Sequence, residues 1–276
     1  MKPSKISILG CGWLGLPLGE YLLSKHFSVK GSSTNPEKVA EINKRGIDGF
    51  QIQFSPQCVN NNVDNFFDTE CLFLNIPPRL GSQGEQYLLQ IEAILKWVEK
   101  STIKYIIYTS STSVYADLNK EMREEEVLIP EQSASPILVQ AELMLSDFCR
   151  KTNINISILR CAGLMGYDRY PAKYFSGKQV KNGHTPVNYI HRDDLIQIIE
   201  HLIEHKLWNE TFNISAPIHP KRKDIYLRNC EDFQMTNPSF FNDSEQTFKI
   251  INTDKWQERS KYQYIFENPL DFYYQI

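Results

Sequence analysis

Three glycines near the N-terminus have the spacing of a phosphate-binding turn. Gly10, Gly12 and Gly15 form G-x-G-x-x-G within the segment ISILGCGWLGLPLG. Such a turn binds a pyrophosphate when a strand precedes it and a helix follows it, because the glycines let the phosphates approach the backbone and the helix N-terminus supplies free N–H groups. Residues 6–9 are apolar enough for a short buried strand, and leucines spaced four apart predict a helix over 13–25. We therefore expect a dinucleotide site that includes Gly10, Gly12, Trp13, Leu14 and Gly15.

An export signal and a lipoprotein anchor are alternative interpretations of the same segment. Lys2 and Lys5 supply a basic start, but the apolar run before the first glycine covers only residues 6–9, which is too short for a signal peptide. The six cysteines are scattered without a C-x-x-C pair, so they indicate neither a disulfide framework nor a metal site. We expect a cytoplasmic protein without a bound metal.

The totals favour one soluble globular unit that acts on a small molecule. The chain has 276 residues, 41% of them hydrophobic, and a formal charge of −3. A nearly neutral chain has no electrostatic reason to bind nucleic acid or an anionic membrane, and we expect neither partner. The densest basic cluster, HPKRKDIYLR (219–228), is interpreted as a solvated helix face.

Short apolar runs alternate with helical patterns and predict the fold class. The predicted strands are 6–9, 27–31 (FSVKG), 50–54 (FQIQF), 71–76 (CLFLNI), 104–109 (KYIIYT) and 154–160 (INISILR). Helical segments between successive strands imply right-handed crossovers and a parallel sheet. We expect an α/β protein with a Rossmann-type, doubly wound parallel sheet. Residues 1–160 would form the dinucleotide-binding core, and 161–276 the remaining Rossmann elements interleaved with a small substrate-binding subdomain.

The end of the second strand favours NADP over NAD. NAD sites usually have an acidic residue there to bind the ribose diol. Here the segment is Gly31 to Asn35, in which Ser32, Ser33, Thr34 and Asn35 supply hydroxyls and an amide but no carboxylate, and Lys38 follows closely. These groups suit a 2′-phosphate. The alternative is that Asn35 and Pro36 only cap the next helix.

The chain resembles atypical members of the extended short-chain dehydrogenase/reductase superfamily, in its nucleoside-diphosphate-sugar epimerase-like branch. The motifs that carry the resemblance are GCGWLG (10–15), NIPPR (75–79), YTSSTSVYAD (108–117), ILRCAGLMG (158–166), VNYIHRDDL (187–195) and ETFNIS (210–215). They occur in the family's order over nearly the whole chain. The resemblance implies further cofactor contacts at Asn75, Ile76, Pro77, Thr109 and Ser110. It also implies a homodimer, since relatives often pair through two helices.

The resemblance places the family's catalytic hydroxyl at Ser111, four residues before Tyr115. The family's main catalytic group, a Tyr-x-x-x-Lys pair on the next helix, is replaced by Ala134 and Leu138. In the family, the lysine lowers the tyrosine pKa so that the phenol exchanges a proton with the substrate. Two other matches to the pattern, YLLSK (21–25) and YFSGK (174–178), are interpreted as coincidence. A different group must therefore carry the proton, or the chain has no catalytic step.

By family position, the candidates near the nicotinamide are Ser111, Thr112, Tyr115, Tyr167 and His191, and we expect His191 or a bound water to transfer the proton. Histidine titrates near neutral pH, although His191 also suits a structural role at the start of the following helix. Two functions remain open. The first is an NAD(P)-dependent oxidoreductase or epimerase-like enzyme acting on a small sugar or carbonyl substrate. The second is a catalytically silent NAD(P)-binding redox sensor or regulatory protein.

Overall fold

The structure is a computed structural model that describes residues 2–54, 63–78, 84–241 and 246–275. The strands are β1 (Lys5–Leu9), β2 (Ser28–Ser33), β3 (Asp48–Gln51), β4 (Cys71–Leu74), β5 (Tyr105–Ser111), β6 (Lys120–Met122), β7 (Asn155–Cys161), β8 (Gly163–Met165), β9 (Gln179–Val180), β10 (Tyr189–His191), β11 (Glu210–Ile214), β12 (Ser239–Phe240) and β13 (Lys249–Ile251). The helices are α1 (Gly15–Ser24), α2 (Pro36–Lys44), α3 (Val63–Phe67), α4 (Gly84–Glu99), α5 (Pro136–Thr152), α6 (Ala172–Phe175), α7 (Arg192–His205), α8 (Arg222–Asp232) and α9 (Asp254–Ser260).

Seven parallel strands form the central sheet in the order β3-β2-β1-β4-β5-β7-β11. The first strand lies in the interior, with the chain winding outward to both sides of it. This arrangement confirms the predicted Rossmann-type α/β fold. β11 joins the sheet late in the chain, beside β7, where Glu210 is in register with Ser157.

Helices cover both faces of the sheet, because successive strand residues point to opposite sides. In β5, Ile107 packs in one core with α1 and α7. Its neighbours Ile106 and Tyr108 pack in the other core with α4 and α5. Leu18 of α1 and Ile91 of α4 are fully buried in these two layers. The alternating apolar pattern therefore fixes which face each helix covers.

The third strand differs from its prediction over 50–54. β3 covers Asp48–Gln51, and its last pairing joins Gln51 to Ser33, the final residue of β2. The N–H of Ile52 still donates to the carbonyl oxygen of Ser33 at 3.0 Å, but β2 ends at Ser33, so the strand pairing ends there as well. Ile52 and Phe54 are buried in the core instead, which explains their apolar character.

Short strand pairs lie outside the central sheet. β8 pairs with β10, β9 with β12, and β6 with β13, all in parallel. Ile225 and Tyr226 of α8 pack in a small cluster with Val180 and Val187. Within the described ranges, no helix combines the length and the apolar character needed to cross a bilayer.

Candidate active site

The glycine turn lies between β1 and α1, as its spacing predicts. Gly10 has a φ of +104°, and a Cβ there would collide with the carbonyl oxygen of Asn75. A Cβ at Gly15 would collide with the carbonyl oxygen of Gly10 and would lie 3.0 Å from a methyl group of Ile8. Both glycines are therefore required by the packing of the protein itself.

Gly12 differs from the other two, because nothing in the protein occupies the space above it. A Cβ at Gly12 would meet no heavy atom within 4 Å. The first turn of α1 begins here, and within the described residues none of the backbone hydrogen bonds starts from the N–H of Gly12, Trp13 or Leu14. Unpaired N–H groups at a helix N-terminus form a site for an anion. The turn thus offers an open cradle for phosphate oxygens.

Trp13 connects this cradle to the segment that follows β8. Its indole Nε1 donates a hydrogen bond to Asp168 Oδ1 at 2.6 Å. The guanidinium groups of Arg169 and Arg192 lie 4.2 Å and 5.0 Å from the centre of its ring. Two cations stacked on an aromatic ring beside free N–H groups raise the local positive potential. The sequence analysis missed both arginines, because they lie far along the chain from the glycine turn.

Residues 32–35, at the end of β2 and directly after it, have several different roles. Ser32 is buried, and its Oγ accepts a hydrogen bond from the N–H of Gly10 at 3.3 Å. Asn35 caps α2, since its Oδ1 accepts from the N–H of Glu37 at 2.7 Å, as in the alternative interpretation from the sequence. The Oγ of Ser33 accepts from the N–H of Asn35 at 3.2 Å, and Thr34 is exposed. Ser33 and Thr34 thus leave their O–H hydrogens available at the end of β2.

Two further strands end at the same edge of the sheet. Asn75 follows β4, and its Nδ2 donates to the carbonyl oxygen of Gly10 at 3.0 Å. Ile76 and Pro77 continue from it without regular structure. In β5, the Thr109 hydroxyl oxygen is buried and has no hydrogen-bond partner among the described residues. The hydroxyl of Ser110, by contrast, donates to the buried carboxylate of Glu142 at 2.6 Å, so it is not available to a ligand.

Ser111 is the last residue of β5 and begins a short 3-10 turn over 112–114. Its Oγ accepts a hydrogen bond from the N–H of Ser113 at 3.1 Å. The hydroxyl hydrogen is then left to donate elsewhere, as the polarising role requires. Ala134 lies beside the same turn, where its N–H donates to the carbonyl oxygen of Val114 at 2.9 Å. Leu138, one helical turn further on, is fully buried in the core.

His191 is fully buried and both of its ring nitrogens have partners. Nδ1 accepts from the N–H of Asp193 at 3.2 Å, which caps α7, and Nε2 lies 3.0 Å from the carbonyl oxygen of Tyr273. A neutral ring with its proton on Nε2 satisfies both contacts. Burial lowers the pKa of His191, although the Tyr273 carbonyl and Asp193 oppose this effect. The geometry therefore gives His191 the structural role that its position before a helix suggested.

Tyr167 lies two residues after the end of β8 and has a φ of +53°. Its hydroxyl donates to Asp193 Oδ2 at 2.9 Å, and the Arg192 guanidinium lies 3.7 Å from its ring centre. Burial and the bond to Asp193 raise the pKa of Tyr167. The tyrosine therefore remains protonated at neutral pH and holds Asp193 and Arg192 in place. Arg192 in turn connects Tyr167 to Trp13 of the glycine turn.

A buried ion pair supports the strand that carries Ser111. Arg160 and Glu142 are 3% and 4% exposed, and Arg160 Nη2 lies 2.7 Å from Glu142 Oε2. Arg160 also donates to the hydroxyl of Tyr115 at 2.9 Å, and Tyr115 donates to Asn213. Burial raises the pKa of Tyr115 to about 12. Tyr115 is thus part of the interior, and its hydroxyl does not face the site.

Comparison with known proteins places the chain among relatives. No family model matches the chain. It is 30% identical to protein YeeZ of Escherichia coli K12 over 270 residues. The aligned region covers 96% of this chain and 97% of YeeZ. The chain belongs to the YeeZ family.

Solved structures extend the YeeZ-family comparison to the fold. UDP-glucuronic acid 4-epimerase from Bacillus cereus, solved with NAD, superposes with a TM-score of 0.78 at 18% identity, over 97% of this chain and 94% of that one. UDP-N-acetylglucosamine 4-epimerase from the same organism gives 0.74 at 16% identity, again over 97% and 94%. This YeeZ-family chain therefore has the Rossmann fold of the extended, epimerase-like short-chain dehydrogenases/reductases, as the sequence motifs indicated.

The structure of this YeeZ-family chain brings some of the predicted residues together and separates others. The glycine turn, Asn75, Thr109 and Ser111 all lie at the carboxyl ends of β1, β4 and β5. Tyr167 is linked to Trp13 of the glycine turn through the guanidinium of Arg192. Arg222 belongs to the basic cluster that the sequence predicts to be a solvated helix face. In the structure it is half-buried and lines a cavity together with Thr112. No spacing in the sequence signals that position.

Proposed function

We propose that this chain binds a nicotinamide dinucleotide, with NADP preferred over NAD, and acts as an oxidoreductase or epimerase-like enzyme on a small sugar or carbonyl substrate. The observation that carries the proposal is the open space above Gly12. Packing within the protein requires Gly10 and Gly15 but makes no demand on Gly12. A glycine that the protein itself does not need is explained by a ligand that approaches the backbone there. The free N–H groups of the turn supply the donors for its pyrophosphate.

The residues around the cradle fit such a cofactor, which when bound supplies a hydride acceptor or donor. Gly12, Trp13 and Leu14 would bind the pyrophosphate through their N–H groups. Thr109 has a buried hydroxyl oxygen without a protein partner, and its position in the strand next to β4 suits a polar atom of the ligand. An unsatisfied buried hydroxyl is costly, so a ligand partner explains it.

The preference for NADP rests on the residues after β2. Ser33 and Thr34 offer hydroxyl hydrogens, and Lys38 is exposed on the first turns of α2. The segment 31–35 contains no carboxylate to bind the ribose diol or to repel a 2′-phosphate. The 2′-phosphate of NADP would therefore find hydroxyl donors and a cation there. The ribose diol of NAD would lack the carboxylate that usually accepts its hydrogen bonds.

For the chemical step, Ser111 donates its hydroxyl hydrogen to the reacting oxygen of the substrate and so polarises it. The hydrogen is available because Ser111 Oγ only accepts from the N–H of Ser113. His191 has both nitrogens engaged, and Tyr167 donates to Asp193. A bound water beside Ser111 is then the carrier of the proton.

A second function, a catalytically silent redox sensor, is favoured by Ala134. Its backbone is bonded to the turn that follows Ser111, and the side chain there is a methyl group that can transfer no proton. A sensor needs the cofactor cradle but not Ser111. A change in NADPH absorbance that depends on an added carbonyl or sugar, and is lost in Ser111→Ala, supports the enzyme. Tight cofactor binding with no turnover across a broad substrate panel supports the sensor.

The deciding experiment is a titration with NADPH and NADH, followed by quenching of tryptophan fluorescence, since Trp13 lies in the turn. We expect micromolar NADPH binding and weaker NADH binding. Gly12→Val should weaken NADPH binding by at least about tenfold, a loss of ~1.4 kcal/mol or more, with an unchanged melting temperature. Gly19→Ala is the matched control, because a Cβ there would meet the side chain of Ile47 in the core; it should lower the melting temperature and leave the NADPH affinity unchanged. Unchanged NADPH affinity in Gly12→Val, or no binding of either cofactor to the wild type, would refute the proposal.

A further inference from the structure

A polar cavity of about 240 Å³ adjoins the turn that follows the proposed catalytic Ser111. Thr112, the residue after Ser111, lines one wall, and Asp117, Asn182, Arg222 and Lys249 line others. The cavity therefore begins where β5 ends and extends beneath the N-terminus of α8. The inference drawn here rests on the proposed function, since it concerns the substrate of the same site.

The charges around the cavity do not balance. Lys249 Nζ lies 3.0 Å from Asp117 Oδ1 and donates to the carbonyl oxygen of Tyr115 at 2.7 Å, so these two charges compensate each other. Arg222 has no carboxylate partner among the described residues. Among the residues that the structure describes, the positive charge of Arg222 at the cavity thus has no counter-charge.

The guanidinium of Arg222 has a single side-chain acceptor among the described residues. Its Nη1 donates to the hydroxyl of Tyr226 at 3.3 Å, and its Nε is buried without a partner within the described part of the chain. A guanidinium carries five N–H donors in a planar fork, and a buried donor without an acceptor is costly. The fork matches the two oxygens of a carboxylate or a phosphate.

We propose that Arg222 binds an anionic group, a carboxylate or a phosphate, of a small substrate whose reacting carbon lies toward Ser111. Two residues that line the cavity support this orientation. Thr112 directly follows Ser111 in the chain, whereas Arg222 is the first residue of α8. The substrate class is a small sugar acid or sugar phosphate, or an equally small carbonyl acid.

The volume of the cavity argues against a nucleotide-sugar. Pockets that bury drug-sized ligands have volumes of roughly 300–1,000 Å³, and this cavity is below that range at about 240 Å³. A monosaccharide with one charged group is much smaller than a nucleoside diphosphate sugar. The epimerases that share the fold have UDP-sugars in their names, so the proposal predicts a different substrate for this chain.

The test compares ligands that differ only in charge. Glucuronate and glucose 6-phosphate are titrated against glucose, and sodium phosphate against sodium chloride at equal ionic strength, by calorimetry in the presence of saturating NADPH. We expect the anionic sugars to bind at least about tenfold more tightly than glucose, as a charge-assisted pair requires. Arg222→Gln should reduce their affinity to that of glucose, and Arg222→Lys should restore only part of it.

Arg228→Gln is the matched control, because Arg228 lies on the same helix but is exposed and pairs with Asp232. It should leave every affinity unchanged. Equal binding of glucose and the anionic sugars, or anion affinities unchanged in a folded Arg222→Gln variant, would overturn the inference. So would tighter binding of UDP-glucose than of either anionic sugar. The NADPH titration is read on the same samples, so a loss of cofactor binding identifies failure of the proposed function separately.

Discussion

At the scale of single residues, Arg160 shows how one buried charge is made acceptable. Burial opposes its charge, but hydrogen bonds with Glu142 outweigh this and raise the pKa of the guanidinium. The same side chain donates to the carbonyl oxygens of Glu124 and Val127, at 3.1 Å and 2.8 Å. Its donors are thus satisfied, which distinguishes it from Arg222. A satisfied buried guanidinium stabilises structure, and an unsatisfied one indicates a ligand.

Arg160→Met should lower the free energy of unfolding by about 3–5 kcal/mol, because it leaves the Glu142 carboxylate buried without its partner. Urea denaturation with an unchanged m-value measures this loss. Lys96→Met is the control, since the Glu92–Lys96 pair is exposed on α4, and it should cost under about 0.5 kcal/mol. Equal effects of the two substitutions would contradict the role of Arg160.

At the scale of elements, the aromatic C-terminal segment is held by the first turn of α7. Asp194 is fully buried, and its carboxylate accepts from the N–H groups of Ile265 and Phe266, at 2.7 Å and 3.0 Å, and from the hydroxyl of Tyr262 at 3.0 Å. The backbone of Tyr273 in turn contacts His191. Through these contacts residues 262–275 pack on the body of the fold.

Asp194→Ala should release this tail, because three donors lose their acceptor at once. We expect faster cleavage by chymotrypsin within residues 262–275, detected by mass spectrometry of the fragments, together with a lower melting temperature. Asp232→Ala is the control, since Asp232 is exposed and pairs with exposed Arg228, and it should leave the cleavage rate unchanged. A tail equally resistant in the Asp194 variant would show that aromatic packing alone holds it.

At the scale of the whole molecule, stability should depend on pH through the buried His191 and the half-buried His219. Burial lowers the pKa of His191 and of His219, each of which also contacts a backbone carbonyl oxygen. Their pKa values in the unfolded chain are near 6.5. Below that pH the unfolded chain takes up protons that the folded chain resists, so stability is present above it and decreases as the pH falls toward the folded pKa values.

His191→Asn should make this decrease shallower, because asparagine can cap α7 without titrating. The measurement is the free energy of unfolding at several pH values between about 7.5 and 5.5, a range that spans the unfolded pKa. Burial raises the pKa of Asp194 and of Glu124, which favours the folded chain on acidification in both proteins and cancels in the comparison. Identical slopes would show that His191 makes no contribution.

The sequence by itself determined the Rossmann sheet and the glycine turn. Apolar periodicity is local, and the turn requires glycines that are close together in the chain, so both can be read without tertiary contacts. Only the tertiary structure decided which side chains surround the turn and the cavity. Trp13 meets Asp168 from 155 positions away, and Lys249 meets the backbone of Tyr115 from 134. Such pairings leave no local pattern, because the packing of distant elements creates them.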